Sequence, residues 1–304
     1  MHEILVISGK GGTGKTSLTA AFAHLAADSI ICDLDVDAPD LHLLLRPDFR
    51  ETHDFHAGFE ARIEPDKCED CGTCQEMCRY DAVRPGDPYP FIDPLKCEGC
   101  KVCVEFCPAQ AIAFTSKHCG RWHVSNTRFG TMVHAQLFPA QENSGRLVAL
   151  LRQKARELAK ARGEHLILAD GPPGIGCPVI SALSGVRLAV IVTEPTPSGL
   201  HDMARITDLC DHFRIPVAVI INKCDLNQAM VDRIQAQCRQ KGFAMVAQLP
   251  HDADFVHAMV GAQTVTEYSN GDTARRIKDA WEQIFALAMD TKQKSLAYDQ
   301  RDSS

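Results

Sequence analysis

No apolar run in the 304 residues approaches the ~18 that a membrane-spanning helix needs, so nothing here reads as a transmembrane segment. There is no excess of positive charge either: 32 Lys and Arg stand against 39 Asp and Glu, a formal net charge of −7. That balance argues against a general nucleic-acid binder, which needs a basic surface to meet phosphates. The opening residues read as a strand entering a glycine-rich loop, not as a secretory leader. The last residues, from Thr291, lack a basic face set against bulky side chains. They predict a polar tail, 291–304, and no stable membrane anchor.

What is present is concentrated in two places. The first is Gly9-Lys10-Gly11-Gly12-Thr13-Gly14-Lys15-Thr16, preceded by the apolar run Ile4 to Ile7 and followed by a helix-like stretch, Ser17 to Ala27. Strand, glycine loop and helix in that order make a phosphate cradle. Glycines let backbone N–H groups close around phosphate oxygens, and the helix N-terminus adds partial positive charge. Lys15 reaches the β- and γ-phosphates, the Thr16 hydroxyl suits Mg²⁺, and Gly9 to Ser17 is the expected nucleotide-contacting set.

The second is cysteine. The chain has 14, and eight form two runs: Cys68, Cys71, Cys74, Cys78 and Cys97, Cys100, Cys103, Cys107. The runs lie 29 residues apart, and each is followed at the same offset by a small apolar pair, Ala82-Val83 and Ala111-Ile112. Three C-x-x-C-spaced thiols plus a fourth exceed what a zinc site needs, and soft thiolates suit iron–sulfur clusters. The spacing resembles a bacterial two-cluster ferredoxin, in which the fourth cysteine of each run serves the other cluster. That resemblance implies two 4Fe–4S clusters. Cluster I is expected on Cys68, Cys71, Cys74 and Cys107, and cluster II on Cys97, Cys100, Cys103 and Cys78. One departure is visible: Arg79 follows Cys78, where the pattern has proline, as in Cys107-Pro108. Oxygen-labile clusters imply a reducing cytoplasm.

The early lysine gives the glycine loop its character. Gly-Lys-Gly-Gly-x-Gly-Lys-Thr resembles the deviant Walker A of the MinD/ParA/Mrp and nitrogenase-iron-protein superfamily. In that family the lysine matching Lys10 contacts the partner's nucleotide across a dimer interface; otherwise Lys10 is a solvated loop residue. The resemblance implies a homodimer or a heterodimer with a related ATPase. It extends to Asp33-Leu34-Asp35, past the expected strand Ser29 to Asp33, where Asp35 places the attacking water and Asp33 lies near Mg²⁺. It extends also to Leu166–Asp170 and Gly171-Pro172-Pro173-Gly174, where Asp170 holds Mg²⁺ through water and Gly174 senses the γ-phosphate. Cys177, seven residues past Asp170, is either a cluster ligand or a small buried thiol, and Cys119 is read as structural.

Further strands are expected at Leu188–Thr193, Pro216–Ile221 and Phe243–Leu249. Asn222-Lys223-Cys224-Asp225 follows the second, with Asn222 expected against the purine and Pro250 bordering the base. Asn-Lys-x-Asp is also the guanine-reading word of GTPases, so these residues leave ATP and GTP open while the family favours ATP. Residues 46–61 read as a linker or edge strand. Helices are expected at Leu41–Leu45, Arg146–Ala161, Leu200–Phe213, His251–Val260 and Thr273–Met289.

The fold expected is α/β: a doubly wound, mostly parallel sheet with an inserted two-cluster ferredoxin module. The P-loop domain is 1–61 and 116–290, the module 62–115. Three functions fit: an ATPase gating electron transfer to an unknown redox partner, an iron–sulfur assembly or carrier ATPase, and a redox-responsive MinD-like switch.

Overall fold

The computed structural model describes residues 1–26 and 28–290; the expected tail lies outside them. In chain order the elements begin β1 (His2–Ser8), α1 (Lys15–Leu25), β2 (Ser29–Asp33), α2 (Leu41–Leu45) and β3 (Asp48–Ile63). The cysteine segment carries α3 (Thr73–Met77), β4 (Val83–Arg84), β5 (Phe91–Ile92) and α4 (Val102–Glu105). β6 (Ile112–Thr127), β7 (Gly130–Leu137), α5 (Ser144–Arg162), β8 (Leu166–Pro173), α6 (Cys177–Leu183) and β9 (Leu188–Thr193) follow. The chain ends with α7 (Pro197–His212), β10 (Val217–Asn222), α8 (Gln228–Lys241), β11 (Ala244–Leu249), α9 (Asp254–Val260), α10 (Val265–Tyr268) and α11 (Asp272–Met289).

Nine strands form one sheet in the order β11-β10-β9-β1-β8-β2-β7-β6-β3. Neighbouring strands from β11 to β7 pair in parallel. β1, β2, β9 and β10 are almost wholly buried, because helices cover both faces. Strands buried on two sides read as unbroken apolar runs, which is why sequence located them. Leu18 and Phe22 of α1 are fully buried. Phe22 stacks on Trp281 of α11 with ring centroids 5.4 Å apart, and burying each such side chain contributes about 1.5–3 kcal/mol.

Residues 46–61 resolve as an edge strand rather than a linker: β3 is the last strand of the sheet. Thr127-Arg128-Phe129-Gly130 is the turn from β6 to β7, a connection short enough only for antiparallel neighbours. Arg128 clamps that turn. It makes two bonds to Glu267, at 2.8 and 2.7 Å, and donates to the carbonyls of Leu44 and Ala262. α8 and α10 were not foreseen. α8 has an Asn227 cap whose side chain accepts from Met230 N–H, and α10 has a full capping box built by Thr264 and Glu267. Thr196 caps α7 by accepting from Gly199 N–H. No helix among the described residues is long and apolar enough to cross a membrane.

The chain divides into two compact units, Met1–His53 with Trp122–Gln136 and 144 onward, and Asp54–Arg121 with Leu137–Asn143. The second unit contains both cysteine runs and an internal repeat. Shifting by 29 residues maps α3 onto α4, and it maps three left-handed residues onto three others: Asp70 on Gly99 (φ 49° and 62°), Gly72 on Lys101 (77° and 69°), Asp81 on Gln110 (48° and 49°). Two crossing bonds obey the same relation, Glu64 N–H to Ala111 O and Asp93 N–H to Ala82 O, both 2.8 Å. A small apolar core of Ile63, Val83 and Ile112 lies between the halves, with cysteines of both runs packed against it.

Candidate functional site

The carboxyl ends of the central parallel strands converge on one set of loops, the usual place for a ligand in a doubly wound sheet. β1 feeds Gly9–Gly14. β2 ends at Asp33, whose register partner on β8 is Asp170, while β9 ends before Glu194 and β10 ends at Asn222. Two glycines of the loop are required by packing. A Cβ on Gly9 would come 2.2 Å from Asp202 Cβ of α7. A Cβ on Gly14, where φ is 88°, would come 2.4 Å from Asn222 Nδ2.

Lys15 is buried, 6% exposed, among carboxylates. Its Nζ donates to Asp170 Oδ1 at 3.0 Å and lies 3.6 Å from Asp35 Oδ2. Burial disfavours the ammonium, but Asp170, Asp35 and Asp33 outweigh it and raise the Lys15 pKa. Thr16 donates to Asp170 Oδ2 at 2.8 Å, and the Thr19 hydroxyl lies 2.9 Å from Asp170 Oδ1. One cation and two hydroxyls thus surround the Asp170 carboxylate. Asp33 accepts the N–H groups of Asp35 (3.1 Å) and Leu41 (3.3 Å), so it shapes the turn that presents Asp35. Burial, then the charge of Asp170, pushes the Asp33 carboxyl well above its ordinary range. Burial also raises Asp35, against the pull of Lys15.

Lys10 forms an ion pair with Glu194 and lies 3.2 Å from Ser198 Oγ. Lys223 joins the same carboxylate at 3.4 Å and donates to Gly12 O at 3.0 Å. Burial favours protonation of Glu194, but the two lysines outweigh it and its pKa falls. Gly174, at φ 88°, donates its N–H to Ser8 O at 3.0 Å. The Asn222 amide is engaged on both sides, donating to Thr13 O (2.8 Å) and accepting from Lys223 N–H (3.0 Å). Asp225 accepts from His251 N–H at 2.6 Å and so holds the loop that starts at Pro250; that bond lowers its pKa.

Glu194 and Thr19 join the site without a sequence motif to mark them, and Lys223 enters it as a partner of Glu194. Glu194 carries the same signal as Asp33 and Asp170, an acid at a buried strand's carboxyl end. Thr19 stands four residues past Lys15 on α1, a spacing that puts both on one helix face.

In the second unit the eight cysteines sort into two cavities. One is lined by Cys68, Cys71, Cys74 and Cys107. The other is lined by Cys97, Cys100, Cys103 and Cys78. Each cavity thus takes three thiols from one run and the last from the other. Ala82 N–H donates to Cys78 Sγ at 3.4 Å and Ala111 N–H to Cys107 Sγ at 3.3 Å. The thiols influence one another. Burial, followed by the charges of Cys97, Cys100, Cys74 and Cys78, raises Cys103 to about 11. Bonds from Thr73 lower Cys71. Among the described residues no three His, Cys, Asp or Glu converge on a single-ion site. Cys119 is buried, its Sγ 3.2 Å from Ala57 O, while Cys177 is exposed at the start of α6.

Two uncharacterized proteins of Methanocaldococcus jannaschii resemble the chain. One is 28% identical over 293 residues, 93% of this chain and 96% of that protein. The other is 25% identical over 240 residues, 76% and 84% respectively. A Drosophila sechellia protein named as a cytosolic Fe-S cluster assembly factor Nubp1 homolog is 22% identical over 299 residues, covering 90% and 78%. The fold is that of the Pyrococcus horikoshii septum site-determining protein MinD with Mg-ADP, at TM-score 0.56 and 17% identity, covering 95% of this chain and 97% of that one. The sequence profile of the CobQ/CobB/MinD/ParA nucleotide binding domain matches residues 4–265. With its phosphate loop, its Asp33 and Asp170 at neighbouring strand ends and that match, the chain belongs to the CobQ/CobB/MinD/ParA nucleotide-binding family.

Proposed function

We propose that this chain is an iron–sulfur ATPase, which binds and hydrolyses Mg-ATP as a dimer and couples hydrolysis to electron transfer through two 4Fe–4S clusters. One observation carries the reading. The eight thiols part into two four-thiol cavities in the crossed pattern of a two-cluster ferredoxin, within a chain that also holds a phosphate loop. The donor set fits the group: four thiols, backbone N–H bonds to sulfur, and an apolar layer between the cavities. Bound there, two clusters supply one-electron chemistry.

At the nucleotide, Lys15 turns from Asp170 to the β- and γ-phosphates, since phosphate oxygens offer it more charge than one carboxylate. Its departure frees Asp170, which together with Thr16 suits Mg²⁺; that ion is commonly held by one or two carboxylates plus phosphates rather than by an all-protein cage. Asp35, 3.6 Å from Lys15, orients the attacking water. Lys10 leaves Glu194 to meet phosphate across the dimer interface. Gly174 exchanges Ser8 O for the γ-phosphate. Asn222, Asp225 and Pro250 border the base, and the family favours ATP over GTP. The expected setting is the cytoplasm, with a redox protein as partner.

The assembly-factor name of the Drosophila sechellia relative favours a second reading, cluster assembly or carriage. Four thiols converging on each cavity, drawn from both runs, suit resident clusters better than cargo. The test is the EPR spectrum of anaerobically purified, dithionite-reduced protein with and without Mg-ATP. A nucleotide-dependent change supports coupling. Identical spectra with two intact clusters overturn it and favour a MinD-like switch, and clusters lost rapidly to a chelator favour the carrier.

A further inference from the structure

The two cysteine cavities serve as controls for each other. Each takes three thiols from one run and one from the other, and the N–H···S bonds match at 3.3 and 3.4 Å. Their backbones superpose in pattern down to three left-handed residues each. Shape, exposure and backbone bonding are nearly balanced, so charge is what distinguishes them.

At positions matched by the repeat, the Cys68 cavity has Glu69, Asp70, Gly72 and Glu76, a sum of −3. The Cys97 cavity has Glu98, Gly99, Lys101 and Glu105, a sum of −1. Asp70 lines the first cavity and Lys101 the second. Lys101 pairs with Glu105 at 2.5 Å, whereas Glu76, the counterpart of Glu105, has glycine, Gly72, at the position matching Lys101. On the crossing arms, Arg79 and Asp81 beside Cys78 cancel, and Pro108 and Gln110 beside Cys107 are neutral. One feature opposes the imbalance: the Thr73 hydroxyl lies 3.4 Å from Cys71 Sγ, and its counterpart Val102 has none.

We propose that the two cavities accept electrons in a fixed order set by Asp70 and Lys101: the cluster on Cys97, Cys100, Cys103 and Cys78 is reduced first, that on Cys68, Cys71, Cys74 and Cys107 second. This rests on the two-cluster reading. Reduction adds one negative charge to a cluster, and net charge and bonds to sulfur are among the protein's controls on its potential. Lys101 favours the added charge and Asp70 opposes it. Both side chains touch solvent, so the separation narrows as salt rises.

The test is an EPR-monitored potentiometric titration of the anaerobic full chain, with dithionite as electron donor, at low and high salt. Lys101→Gly and Asp70→Gly are tolerated conformationally, because each residue is left-handed and its repeat counterpart carries or accepts glycine. Wild type should titrate in two one-electron steps that approach each other in high salt. K101G should move the first step to lower potential and leave the second. D70G should raise the second and leave the first. A single unresolved step, or variants that move the opposite step, overturns the order. Iron and acid-labile sulfide short of two clusters per chain overturn the cofactor reading itself, and the order with it.

Discussion

Replacing Lys15 with alanine separates the two parts of the molecule most sharply. The Lys15 ammonium lies 3.0 Å from Asp170 and 3.6 Å from Asp35. Without it Asp170 keeps the Thr16 and Thr19 hydroxyls, at 2.8 and 2.9 Å, but its charge is buried beside two more carboxyls. Removing one partner of a buried ion pair costs about 3–5 kcal/mol. Proton uptake relieves part of that, because Asp33 and Asp35 already have raised pKa values, which places the loss near the lower figure. The pH dependence has a definite sign. Lys15 lowers the Asp33 and Asp35 pKa values, so its removal makes the folded state bind protons that the unfolded chain releases. Stability then falls as pH rises past the unfolded carboxyl value, and the deficit of K15A should be larger at about pH 8 than at about pH 5. Hydrolysis should fall by roughly 10²–10³, the loss of one preorganised charge donor, about 3–4 kcal/mol. The assays are phosphate release, urea unfolding at the two pH values and iron content. A deficit equal at both pH values would refute the counter-ion role, and iron lost together with hydrolysis would refute the separation into two modules.

Cys107→Ser should remove about half of the bound iron and spare the signal of the Cys97 cavity, since Cys107 lines the other cavity; loss of both signals would contradict the crossed assignment. Gly14→Ala puts a Cβ 2.4 Å from Asn222 Nδ2 at φ 88°, and nucleotide affinity measured by calorimetry should drop at least about tenfold, from strain of roughly 1–2 kcal/mol plus that contact. Arg128→Ala removes both bonds to Glu267, whose pKa lies at about 2 because bonds from Arg128 and Thr264 outweigh burial. The pair's contribution is present above the unfolded glutamate value near 4.5 and fades as pH falls toward about 2. R128A should cost about 1–3 kcal/mol near neutral pH and less in acid, and a loss independent of pH would argue against the ion pair.

Local words in the chain were enough for several things. β2, β9 and α2 are found at the bounds expected from sequence, and β1, β8, β10 and β11 within a few residues. Parallel strands covered on both faces must be apolar throughout. The glycine loop was legible for the same reason: eight consecutive residues carry the phosphate-binding pattern. The spacing of the two cysteine runs carried their repeat. Residues 228–241 escaped because their helix is mostly polar outside four buried side chains, so its pattern was weak until it packed.

Long-range choices belong to the tertiary structure. Sequence does not say that β9 lies beside β1, and only that neighbourhood brings Glu194 to Lys10 and Lys223. Nor does it show that Asn222 bonds the carbonyl of Thr13, 209 residues earlier. An extended 16-residue β3 could not be told from a linker, since seven consecutive exposed residues lack the alternation that marks a strand. Periodicity records what each residue's own element demands. Which carboxylate meets which lysine depends on strand order, and strand order is settled only when the whole sheet closes its core.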